Sequence, residues 1–305
     1  MSSVPITDIP NPIDYYSSGR ELLNVSWNNA AELLRDLDDS KEWGLVEEDV
    51  STEYWNAARR TLTASLAIAQ QGAEFMLKGR IAEISPFLLI GDPPSKWPSS
   101  KAASGLSFYD LRTIDAQDLI KVLETFSACP PADEFRETFE QMRRKRNRIM
   151  HSADKSLKVD AIELIEAVLT IHVEFFPNES WPKVRLSYIE ESPSAALGLD
   201  DFAVNLANWE TELVIDLLKP AKVKKYLKIN KKQRRYVCPY CIRAGNTDSE
   251  FLYKIAVLEP NEPTSVTVFC PVCDVTHSVT REKCSCGGNV IGDFGRCLTC
   301  TDYIE

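Results

Sequence analysis

The sequence lacks any apolar run near the ~20 residues needed to span a bilayer. Its first residues, Met1 to Tyr16, are polar and carry Pro5, Pro10 and Pro12, with no apolar segment of the secretory kind. These two absences predict a soluble, cytoplasmic protein with no membrane partner. Basic residues are outnumbered: 35 Lys and Arg face 45 Asp and Glu, for a formal net charge of −10. Such a balance argues against indiscriminate coating of DNA, although it permits local basic patches. Histidine is scarce, with three in the chain. No group of histidines and carboxylates has the spacing of an open catalytic metal site, which disfavours a zinc hydrolase.

Apolar residues make up 44% of the 305, enough for a sizeable core and, by length, for two domains or one with appendages. Strand-like alternation is missing up to Pro177, and helical spacing takes its place. Leu22, Leu23, Val25, Ala30, Leu33, Leu34 and Leu37 form one face over 17–39. Steps of three to five residues from Trp55 to Ile81 predict a long amphipathic helix over 51–84. Further helices are expected at 115–127, 133–150 and 157–176, with a proline- and serine-bearing loop at 91–107. Past Pro182 and Pro193 a sixth helix is expected from Asp201, with Phe202, Leu206, Trp209, Leu213 and Leu217 as its apolar stripe and Pro220 stopping or kinking it. From Lys219 to Arg235 nine of seventeen residues are Lys or Arg and none is acidic. That run reads as a phosphate-contacting segment or as a solvated linker.

Eight of the nine cysteines fall after Val237 in four close pairs: Cys238 and Cys241, Cys270 and Cys273, Cys284 and Cys286, Cys297 and Cys300. In a chain with no secretion signal, pairs at this spacing read as metal ligands rather than disulfides. Four thiolates close a tetrahedron around Zn²⁺ and leave no position for water, so two structural zinc ions are expected. Sequential pairing is the expected arrangement; a cross-braced one satisfies the same spacing. Phe251, Tyr253, Ile255 and Val257, a turn at Pro260–Pro263, then Val266 and Val268 predict a β-hairpin joining the first two knuckles, as in a zinc ribbon. Gly287-Gly288 and Asp293-Phe294-Gly295 supply turns for a second, smaller ribbon. His277 reads as an exposed neighbour of a complete thiolate set, and Cys129 as a small buried hydrophobe.

The fourth expected helix ends in Arg143-Arg144-Lys145-Arg146-Asn147-Arg148-Ile149-Met150-His151. Its core, Arg146-Asn147-x-x-x-His151, resembles the R-x(4–6)-H signature of the HEPN family, in which a polar residue often follows the arginine. Gly72-Ala73-Glu74-Phe75-Met76-Leu77-Lys78-Gly79 is similar to the long second helix of such domains, where a Glu and a Lys sit one turn apart. The resemblance covers roughly residues 15–180; the 91–107 loop and the helix from Asp201 are additions to the family pattern. It implies a small helical bundle acting as a dimeric endoribonuclease that needs no metal for the chemical step. It further implies a place in toxin–antitoxin systems or phage defence, with RNA as target and a protein partner or antitoxin.

The residues can also be read on their own chemistry. Histidine titrates near neutral pH and can serve as base or acid, while arginine offers a permanent charge and a fork that matches phosphate oxygens. Positions 146 and 151 lie about 140° apart on an ideal helix, so one chain converges them poorly unless it unwinds near Ile149. Two copies facing across a two-fold axis bring both pairs to one cleft. Read blandly, Arg143 to Arg148 is a solvated helix face, His151 a residue favouring the helix dipole, His172 a core residue, and Glu74 with Lys78 an ordinary pair one turn apart.

The expected architecture is mainly α, an antiparallel HEPN-like helical bundle followed by a small β-rich double zinc ribbon. The expected divisions are 1–185 for the helical domain, 186–235 for a helical basic linker and 236–305 for the ribbons. The expected function is a homodimeric, metal-independent endoribonuclease using Arg146, Asn147 and His151. The alternative is a non-catalytic adaptor or nucleic-acid-binding protein.

Overall fold

The computed structural model describes residues 6–42, 47–97, 106–152, 158–197, 200–245 and 252–304, without the side chains of 41–42, 47–51, 151–152 and 200–202. The chain divides into two compact units, Met1–Phe175 and Phe176–Glu305.

The first unit is helical, as its periodicity predicts. Helices α1 (Pro12–Glu42) and α2 (Glu47–Ile84) form a long antiparallel hairpin. Gly19 lies against Gly72, the Ser26 hydroxyl donates to the Ser65 carbonyl at 3.0 Å, and the Tyr54 hydroxyl donates to the Leu33 carbonyl at 2.6 Å. Along the two helices Ala30, Ala31, Ala58, Ala69 and Ala73 are buried. Small side chains let the backbones approach until a Cβ on either glycine would sit 3.0 Å from the other's carbonyl oxygen.

Helices α3 (Ala116–Phe126), α4 (Asp133–Ser152) and α5 (Ala161–Phe175) pack against α2. Phe135 and Phe139 of α4 stack with centroids 6.0 Å apart, and Phe135 meets Phe175 edge-on at 5.3 Å. The Arg80 guanidinium donates to the Glu174 carboxylate at 2.7 Å and covers the Phe175 ring at 4.2 Å, tying α2 to the end of α5. The expected 91–107 loop contains more than coil. Two-residue strands β1 (Ile6–Thr7) and β2 (Leu106–Ser107) pair in parallel, and Ile90 bridges Thr113. Pairs this short leave no periodicity to read.

The second compact unit, Phe176–Glu305, divides the chain at a different place from the expected 1–185, 186–235 and 236–305. Residues 186–235 are no linker: α6 (Trp181–Glu190), α7 (Asp200–Leu217) and α8 (Pro220–Leu227) belong to the same compact unit as the cysteines. Pro182 and Pro220 sit in the first turns of α6 and α8, where a missing N–H costs nothing. They start helices where they were expected to mark a linker and a stop. The face of α7 is also corrected. Ala203, Val204, Ala207, Val214, Ile215 and Leu218 are buried, whereas Leu217 of the expected stripe is exposed and Leu206, Trp209 and Leu213 are half-buried; Phe202 lies outside the described side chains. The buried face includes a charge, Glu210, and accepts two hydrogen bonds at 2.8 Å from the buried Arg185 of α6. A carboxylate on the inner face defeats a reading based on hydrophobicity alone.

Strands β3 (Arg235–Val237), β4 (Lys254–Leu258), β5 (Thr267–Cys270) and β6 (Val275–Ser278) form an antiparallel sheet in that spatial order. The expected hairpin is β4–β5, with Val257 opposite Phe269; Phe251 lies outside the described residues. Ile255 and Val257 are buried, but so are Ala256 and Leu258, because α7 covers the other face of β4. The architecture is therefore mainly helical, with a small antiparallel sheet and two groups of four cysteines at its end.

Candidate functional site

Helix α4 places Phe135, Phe139 and Met142 on its buried side, and Arg146 continues that stripe one turn further, half-buried. The helix runs unbroken to Ser152, so it does not unwind at Ile149. Position 151 therefore lies about 140° round the axis from Arg146; the His151 side chain is outside the described residues.

The basic turn is less positive than its sequence. Arg143 donates to Glu140 at 3.0 and 3.2 Å, Arg144 lies 3.9 Å from the same carboxylate, and Lys145 pairs with Glu163 of α5. Among the described residues no carboxylate pairs with Arg146; its Nη1 donates to the Asn147 side-chain oxygen at 3.3 Å. This amide steers an arginine of the turn that no described carboxylate pairs with. Such a guanidinium, half-buried and oriented, is suited to a phosphate oxygen.

Glu74 and Lys78 do not form a direct ion pair. Glu74 accepts from Gln70 at 2.5 Å, and the Lys78 ammonium donates to the Thr113 hydroxyl at 3.2 Å. Burial pushes the Lys78 pKa down, with the Glu74 charge opposing. His172 is buried in α5, as expected, whereas Cys129 is exposed beside Ser127 and is no core residue.

In the second unit all eight paired cysteines converge, in sequential order: Cys238, Cys241, Cys270 and Cys273 in one group, Cys284, Cys286, Cys297 and Cys300 in the other. Helix α9 (Pro239–Ala244) and the β5–β6 turn, where Asp274 takes φ +55°, form the two knuckles of the first. Gly287 at φ +81° and Thr301 at φ +71° shape those of the second. Sulfurs facing across the groups are 3.7 and 3.9 Å apart in the first and 3.6 and 3.8 Å in the second. A tetrahedron with metal–sulfur bonds of about 2.3 Å has edges of about 3.8 Å. Each group thus fits one tetrahedral thiophilic ion with no ligand position left over. Hydrogen bonding to Cys241 holds Cys238 far below the usual thiol range, while burial pushes Cys270 up.

His277 is half-buried, correcting the expectation of an exposed side chain. Its Nε2 lies 3.2 Å from the Cys273 sulfur and its ring stacks on Tyr240. Hydrogen bonding to Cys238, ahead of that to Cys273, pushes its pKa up to about 9. It is placed to act as an outer partner of the four-sulfur group, within hydrogen-bond reach of Cys273.

The basic run before Cys238 is partly structural. The Lys231 ammonium donates to the Asp216 and Leu218 carbonyls at the end of α7, and Arg235 lies 3.7 Å from Glu212. Lys219, Lys224, Lys225, Lys228, Lys232 and Arg234 remain exposed. Sequence reasoning missed a groove formed by Arg243, Phe294, Arg296 and Tyr303, since three of these residues lie in stretches read only as turn or tail. Comparison with protein-family models, curated proteins and solved structures found no match. Among the described residues no helix is long and apolar enough to cross a membrane.

Proposed function

We propose that the protein is a cytoplasmic, metal-independent endoribonuclease working as a homodimer, with its tail held by two zinc ions. The observation that carries this reading is Arg146, an arginine of a basic helix end that no described carboxylate neutralises, hydrogen-bonded to Asn147 and five positions before a histidine. In the reaction His151 takes the proton of a ribose 2′-OH, and the 2′ oxygen attacks the adjacent phosphorus. Arg146 stabilises the charge that builds on the phosphoryl oxygens, and the bond to the 5′ oxygen breaks as that oxygen is protonated. The products are a 2′,3′-cyclic phosphate and a 5′-hydroxyl. In this reading the tail recruits RNA or a protein partner, and a role as a toxin or phage-defence effector follows from the HEPN resemblance.

Because α4 is continuous, one chain holds its guanidinium and imidazole positions on divergent sides, and the reading requires two chains. Arg146→Ala and His151→Ala homodimers should each lose roughly 10²-fold or more of their cleavage of total RNA in EDTA. Co-expressed as a heterodimer, the two variants retain one intact Arg–His pair drawn from different chains, and cleavage should return. A heterodimer as inactive as its parents would remove the shared cleft. Full activity of His151→Ala would remove the mechanism. The continuity of α4 equally favours a second reading, in which a single chain binds RNA through Arg146 without cutting it.

A further inference from the structure

A groove of about 220 Å³ lies in the tail, floored by Pro239, Ile242 and Leu298 and flanked by Arg243, Arg296 and two aromatic rings. Phe294 is 81% exposed and Tyr303 64% exposed, unusual for side chains of this size. Phe294 is held at φ +60°, ψ +23°, a left-handed conformation that bulky residues rarely adopt. The backbone thus bears strain where it presents a large ring to solvent. A guanidinium attends each ring, Arg243 at 5.9 Å from Phe294 and Arg296 at 5.4 Å from Tyr303. The Thr301 carbonyl accepts from Arg296 Nε at 2.8 Å and fixes that fork. Asp293 lies 3.4 Å from Arg243, while no described carboxylate pairs with Arg296.

We propose that this groove binds one unpaired nucleotide of single-stranded RNA, the base stacking on Phe294 and Tyr303 and its phosphate meeting Arg296. Open ring faces beside planar cations over an apolar floor match a ligand that is flat, π-rich and anionic. The volume is below the roughly 300 Å³ at which pockets for larger ligands begin, which suits a single base. An acidic peptide would satisfy the arginines but leave both ring faces without a partner. The strand has a path outward: the exposed Arg234 reaches Thr299, next in sequence to the floor residue Leu298, and it belongs to the basic run from Lys219 to Arg235. This inference shares with the nuclease reading only the choice of RNA as ligand.

The test uses the full chain and a fluorescein-labelled 2′-O-methyl oligouridylate, which 2′-OH attack cannot cleave, so that binding is read apart from catalysis. Phe294→Ala and Tyr303→Ala should each weaken binding roughly tenfold, and Phe294→Trp should preserve it. Arg296→Gln should weaken it and lower the slope of log affinity against log salt by about 0.7. Metal content equal to wild type would show that the variants keep the tail folded. Unchanged affinity in both alanine variants would overturn the site, as would equal competition by a double-stranded RNA. No binding by the wild-type chain would also overturn it and assign the groove to a protein contact.

Discussion

Lys78 shows how far one side chain can depart from its sequence reading. Spacing pairs it with Glu74, but the structure turns its ammonium to Thr113. Burial lowers its folded pKa below 10.5, while the unfolded chain keeps the usual value. Between the two values the unfolded state holds more protons, so stability rises with pH across that window. The penalty is fully present below the folded value and gone above 10.5. Lys78→Met should therefore raise Tm at neutral pH, with the gain shrinking as pH rises through the lowered folded value toward 10.5; a constant gain would contradict the burial argument. The pair Arg185–Glu210 is the opposite case, two charges that are 1% and 4% exposed and satisfy each other. Glu210→Ala leaves a buried guanidinium without its counter-ion and should cost about 3–5 kcal/mol in urea unfolding. Replacing both with apolar residues of similar volume should recover most of that. Neither contact was legible in the sequence, because burial of a charge depends on a partner distant along the chain.

At the scale of elements, periodicity succeeded wherever a helix has an apolar face and an unambiguous end. It located α1 to α5 within a few residues and the β4–β5 hairpin with its turn. It fails at α6 and α8, because prolines in their first turns look like breaks along the sequence, and it points to the wrong face of α7 because the buried side carries Glu210. The crossing of α1 and α2 permits a test of competing effects. Gly72→Ala gains about 0.5–1 kcal/mol of helix propensity. Its new Cβ meets the Gly19 carbonyl at 3.0 Å, a backbone atom that cannot swing aside, and Leu23 at 3.2 Å. Overpacking of this kind costs about 1–3 kcal/mol, so the variant should be destabilised by roughly 1 kcal/mol in chemical unfolding. Stabilisation would mean that the hairpin has slack that the close contact does not show.

At the scale of the molecule, the two groups of four cysteines were fully legible because a tetrahedral ion would demand short, repeated spacing and little else. The cleft proposed for RNA was legible only as a motif, since it depends on what two chains do together. The two units should respond differently to metal loss. Mass spectrometry under native conditions should find two zinc ions per chain. Cys297→Ser should remove one and leave the β3–β6 sheet ordered, whereas Cys270→Ser should disrupt that sheet and the helices packed on it. Stripping both ions with a strong chelator should abolish the tail's protection from proteolysis while α1 to α5 keep their helical signal. Loss of the whole helical signal in parallel would show that the units fold as one.

The second ribbon has a particular dependence. Its apolar cluster includes Cys284, Ile291 and Cys297, with Cys300 and Ile304 against them, so three of these five residues belong to the group that could hold the ion. Oxidising or alkylating those thiols would remove part of the interior and the fastening in one event, leaving Val290, Ile291, Leu298 and Ile304 to hold some twenty residues. Phe294, Arg296 and Tyr303 ride on that same short stretch. Whatever the groove grips, its hold should vanish under peroxide well before any other part of the chain loses its shape.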